Sequence, residues 1–182
     1  MRTLIKSVTL ALPVALAMIV SAPVNAAGSG DSAAPKPTKE CAGIRVWDEK
    51  KNRCVKPKES SLDDDGLYDA VRSLAYAGRY LDAQGVLAAM SDQNEGRVLT
   101  YKGFTERKLG NIDVAMVFYQ KALDQNPDNI LARSYMGQAL LEQGNKIGAV
   151  TQLREIQTRG GAGTWAEQSL SKAIASGVTY SH

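Results

Sequence analysis

Small and bulky apolar residues recur along the middle of the chain with a fixed period. Tyr101, Gly103, Gly110, Asn111 and Ala115 return 34 positions later as Tyr135, Gly137, Gly144, Asn145 and Ala149. Tyr119 and Ala122 return in the same phase as Leu153 and Ile156. A period in this range marks an array of helical repeats. Within each unit two helical patterns flank a Gly-Asn step, Gly110-Asn111 or Gly144-Asn145. Glycine tolerates the left-handed conformation that ends a helix, so the predicted unit is helix, tight turn, helix. Stacked units present an extended surface, and this points to holding another molecule.

Upstream, Gly78, Ala83 and Leu87 anticipate Gly110, Ala115 and Tyr119 at a spacing of 32 rather than 34. Three repeats are therefore expected, a shortened one over 62–93 and fuller ones over 96–129 and 130–161. Pro127, inside Asn126-Pro127-Asp128-Asn129, cannot continue the preceding helix and suits the first turn of the next, so it marks a break. Ser60 or Ser61 is expected to cap the first helix, with Asp63, Asp64 and Asp65 placing negative charge at its positive end. After Gly160-Gly161-Ala162-Gly163, the residues Trp165, Ser169, Leu170, Ala173 and Ile174 fall on one helical face. This predicts a capping helix over 164–176 that covers the last hairpin.

The region before the array divides into three. Residues 1–26 carry Arg2 and Lys6, an apolar run from Leu10 to Val20 and a small-residue ending at Ala26, the layout of a secretory signal peptide. The run is too short to favour a membrane span, which needs roughly 20 residues. Residues 27–40 lack apolar periodicity and read as a disordered linker. Residues 41–58 hold both cysteines, Cys41 and Cys54, with Ile44, Val46 and Trp47 on one arm and a polar turn at Asp48 to Asn52. In an exported chain this pair predicts a disulfide-closed β-hairpin, stabilising by about 3 kcal/mol in the chain-entropy model. A zinc site needs four ligands, whereas the lone histidine is His182; a redox pair is normally spaced Cys-x-x-Cys.

Charge removes further classes. Without Arg2 and Lys6 the chain holds 20 basic residues against 19 acidic, about +1, which does not suggest nucleic acid. No Gly-rich phosphate loop follows a strand, and a nucleophile pair would have to use the terminal His182. An enzyme is not expected, and neither are a cofactor, a metal or stable membrane insertion after signal cleavage.

At this level the residues resemble the tetratricopeptide repeat family. Leu99, Gly103, Ala115, Tyr119, Ala122 and Pro127 match its pattern in one repeat, and Gly137, Ala149 and Leu153 in the next. Lys102 and Glu106 stand where the family usually has leucine and tyrosine, and Gly161 where proline is usual. The resemblance implies an all-α fold: a right-handed superhelix of about three helix-turn-helix repeats with a C-terminal capping helix, here preceded by the small hairpin. It also implies a groove lined from the first helix of each repeat. Carried over, these positions are Asp65, Tyr68, Arg72, Ala75 and Tyr76; then Arg97, Thr100, Phe104, Arg107 and Lys108; then Leu131, Ser134, Gln138, Leu141 and Glu142. The lysine and asparagine of the family's chaperone-tail clamp are replaced by Tyr68 and Arg72, so that ligand is not indicated.

The expected function is a periplasmic or secreted adaptor that binds a protein or peptide in this groove, within a bacterial envelope assembly. The alternatives are binding of an anionic envelope polymer through the groove cations, and a structural module that associates with itself through exposed repeat ends.

Overall fold

In the computed structural model residues 39–179 are described. The expected signal peptide 1–26, most of the linker 27–40 and His182 lie outside the described residues. Seven α-helices follow a short β-hairpin: α1 (Asp64–Tyr76), α2 (Tyr80–Leu87), α3 (Gly96–Lys108), α4 (Ile112–Gln125), α5 (Ile130–Glu142), α6 (Lys146–Ile156) and α7 (Trp165–Ser176). They pair as three antiparallel hairpins, α1 with α2, α3 with α4 and α5 with α6, and α7 packs against α5 and α6.

The three turns close identically. Gly78, Gly110 and Gly144 have φ of 74°, 89° and 77°. The next residue's N–H reaches back to the carbonyl five residues earlier: Arg79 to Leu74, Asn111 to Glu106, and Asn145 to Leu140, at 2.9, 2.9 and 2.8 Å. Each link satisfies a carbonyl that the helix end leaves open. The first repeat thus shares the turn chemistry of the other two. It differs in the length of α2, 8 residues against 14 in α4.

Close helix approach depends on glycine. A Cβ at Gly103 would lie 2.5 Å from Cε1 of Tyr119, and one at Gly137 would lie 2.6 Å from Cδ2 of Leu170. The partner changes between repeats: in the third, α7 delivers the apolar side chain that α4 delivers in the second. The two unusual residues of α3 form polar links. Glu106 accepts hydrogen bonds from Gln84 Nε2 and Asn111 Nδ2, each at 2.8 Å, and Lys102 lies over the Phe118 ring.

Asp63 caps α1, its carboxylate accepting from the Gly66 N–H at 2.9 Å. This corrects the assignment of the cap to Ser60 or Ser61. Ser60 donates to the Pro57 carbonyl instead, and Ser61 donates both its N–H (2.7 Å) and its hydroxyl (2.8 Å) to Asp48.

Asp48 ends β1 (Val46–Asp48), which pairs antiparallel with β2 (Arg53–Val55). Trp47 stands opposite Cys54, and the Cys41–Cys54 disulfide closes the hairpin with a Cα–Cα distance of 5.8 Å. Val46 and Val55 are buried in the same core as α1 to α5, so the hairpin is built onto the array. Asp48 has no exposed surface. Burial alone would raise its carboxyl pKa; the Ser61 N–H and hydroxyl, the Lys51 N–H and the Lys51 ammonium outweigh that and hold it below the ordinary 3.8.

A lowered folded-state pKa contributes stability that is complete above the unfolded value and is lost as pH falls through the folded one. The hairpin is therefore expected to stay seated down to about pH 4 and to loosen below it. Trp47 fluorescence during acid titration checks this: Asp48→Asn is expected to flatten the low-pH step, and an unchanged step contradicts the assignment.

Candidate functional site

The expected groove residues lie on α1, α3 and α5, the first helices of the three hairpins, and they differ in burial. Tyr68 and Arg72 are buried on α1, and Tyr76 is half-buried at its end. On α3, Thr100, Phe104 and Arg107 are buried while Arg97 and Lys108 are half-buried. On α5, Ser134 and Gln138 have no exposed surface, and Glu142 reaches solvent.

Aromatic rings and guanidinium groups alternate among these residues. The Tyr68 ring meets Tyr101 edge-on, with centroids 5.3 Å apart, and carries the Arg97 guanidinium 4.9 Å above it. Arg97 also pairs with Asp65 and Glu95, each at 2.6 Å. Arg72 lies against the Tyr76 ring and 3.7 Å from Asp69. The Arg107 side chain is fully buried, over Phe104 and Tyr135, and ion-pairs with Glu142 at 2.8 Å. Glu142 in turn accepts a hydrogen bond from the Thr179 hydroxyl at 2.5 Å. Burial, with Arg107 beside it, pushes the Lys108 ammonium below its ordinary pKa. Burial likewise raises the Tyr119 phenol, an effect the Arg107 guanidinium opposes.

Two expected residues serve the end of the array. The Ser134 hydroxyl donates to the Ala166 carbonyl at 2.8 Å, and Gln138 Nε2 donates to Ser169 Oγ at 3.2 Å. Between repeats two and three, Asn129 Nδ2 donates to Thr100 Oγ1 at 3.0 Å. Arg72, Arg97 and Arg107 are thus held by acids and rings of the chain itself. Tyr76, Arg97, Lys108, Asp65 and Glu142 are the accessible parts.

Sequence reasoning missed Asp69, Glu95 and Thr179 as members of this face. Glu95 had a signal, standing just before the first residue of α3; Thr179 had none. Among the described residues no group of three or more His, Cys, Asp or Glu side chains is placed to hold a metal ion, and no helix is long and apolar enough to cross a membrane.

The repeated turns, the glycine contacts and the shared inner face describe one repeating unit. Residues 103–144 match the family model for the TPR repeat. The match runs from within α3 through α4 and α5, the part of the array where the 34-residue period is strongest. No curated protein and no solved structure matches the chain. TPR repeats generally mediate protein–protein interaction, and no enzymatic family is indicated. The fold is an all-α helical repeat array carrying a small disulfide-closed hairpin, and its central part is similar to the TPR repeat.

Proposed function

We propose that this protein is an exported bacterial adaptor that binds a peptide or partner protein along the α1–α3–α5 face of its TPR array, in the assembly of a cell-envelope complex. The observation that carries this reading is the face itself. Buried aromatic and guanidinium groups form its wall, and Tyr76, Arg97 and Lys108 of the first two repeats remain partly accessible. Such side chains offer contact area and charged hydrogen bonds to an extended segment or a helix.

The same geometry weighs against the two other readings. Arg97 is neutralised by two carboxylates and Arg107 by one, so little free positive charge faces an anionic polymer. Each terminal repeat already has a packing partner: Val46 and Val55 of the β-hairpin join the core beside α1, and α7 packs against α5 and α6.

Capture from a native envelope fraction tests the proposal. Because Phe104 and Arg107 belong to the wall, the informative change is Tyr76→Ala with Lys108→Glu, and exposed Val117→Glu on α4 is the control. The partner is expected to be lost from the first variant and kept by the second. The reverse pattern contradicts the proposed face.

A further inference from the structure

The hairpin's attachments to the rest of the chain include three that come from inside the ring closed by Cys41 and Cys54. The Gly43 carbonyl accepts from Arg79 Nη2 at 2.7 Å. Ile44 fills the notch that Gly85 leaves on α2, where a Cβ would overlap Ile44 Cγ2. Asp48 takes the two hydrogen bonds from Ser61. Val46 and Val55 also enter the core, and beside them a cleft of about 890 Å³ lies between the hairpin and α1, lined in part by Trp47, Leu62, Asp69 and Leu74.

The strands are three residues each, and a two-stranded hairpin of that size does not hold itself together in water. The disulfide therefore keeps the 41–45 arm folded against α2. This matters locally, because α2 is the shortest helix of the array and is covered on this side by that arm. Cys41 is buried and Cys54 is half-buried, which makes Cys54 the more accessible residue of the pair.

We propose that the hairpin is a redox-controlled cap on the first repeat: a dithiol reductant opens the Cys41–Cys54 bond, frees the 41–45 arm and uncovers α2. A thiolate of the reductant attacks Cys54 Sγ, the S–S bond breaks, and Cys41 leaves as a thiolate that takes up a proton. The reductant's second thiolate then attacks the mixed disulfide and releases Cys54, which is protonated in turn. Two electrons pass from the dithiol, now a disulfide, to the cysteine pair. This proposal is independent of any partner on the α1–α3–α5 face.

Hydrogen exchange read by mass spectrometry tests it on the full-length protein before and after dithiothreitol, with thiol titration to confirm reduction. Amides of α2 are expected to exchange about tenfold faster or more once reduced, with α5 and α6 unchanged and protection restored on reoxidation. Cys41→Ser with Cys54→Ser is expected to exchange like the reduced protein. In the oxidised protein, Ile44→Ser is expected to reproduce part of the increase. Unchanged α2 exchange after full reduction overturns the proposal. So does an increase spread evenly over all helices, which makes the bond a staple of the whole domain, and so does a bond that resists the dithiol in the folded protein.

Discussion

Tyr135→Ala is expected to lose about 4 kcal/mol of stability, the middle of the range for removing a fully buried aromatic side chain. Tyr135 has no exposed surface and joins four neighbouring rings, those of Tyr101, Phe104, Tyr119 and Trp165, at centroid distances of 4.7 to 6.4 Å. These rings come from α3, α4 and α7, so the vacancy falls where the second repeat, the third repeat and the C-terminal helix meet. Small neighbours cannot collapse into it, because Gly103 and Gly137 are already filled by Tyr119 and Leu170. Urea unfolding followed by circular dichroism measures the loss. A change below about 1 kcal/mol, the size of a surface substitution's effect or little more, contradicts the described core.

Glu142→Ala is expected to cost about 2–3 kcal/mol, somewhat below the range for breaking a fully buried pair because about a quarter of the Glu142 side chain meets water. The cost arises on the other partner, since it leaves the fully buried Arg107 cation without a carboxylate. Replacing the pair together, Arg107→Met with Glu142→Leu, is expected to recover most of that loss, because the Phe104 and Tyr135 rings suit an apolar side chain as well as a cation. Unfolding of the three variants beside the parent gives the comparison. A double variant less stable than Glu142→Ala alone contradicts the reading of Arg107 as a wall residue.

The array was legible because its signals are local. The Gly-Asn steps specify the turns, and glycine at 103 and 137 marks where a side chain from another helix enters. The sequence reading left open which side chain that is: Leu153 holds the phase of Tyr119, but Leu170 fills the space at Gly137. Nothing in a period can show that the element after the last repeat swings onto α5. Ser169 was a clue, as a polar residue on an otherwise apolar face, and it is the residue that Gln138 reaches.

The hairpin was legible as a stapled unit and its docking was not. Gly85 looks in sequence like a weak helix residue, and only the fold brings Ile44 against it. Ser60, Ser61 and Asp63 all carry cap chemistry in the sequence; the buried Asp48 carboxylate takes Ser61 and leaves Asp63 to the helix. The family resemblance placed the groove residues on a face, and burial then divides them. Thr100, Phe104, Arg107, Ser134 and Gln138 build its wall, whereas Tyr76, Arg97 and Lys108 remain within reach of another molecule.

The most direct measurement is site-specific photocrosslinking in the native envelope, with p-benzoylphenylalanine introduced as Tyr76→Bpa or, on the outer surface of α4, as Val117→Bpa. A discrete protein adduct from position 76 and none from position 117 is the expected result. An adduct from position 117 with nothing at position 76 contradicts the account.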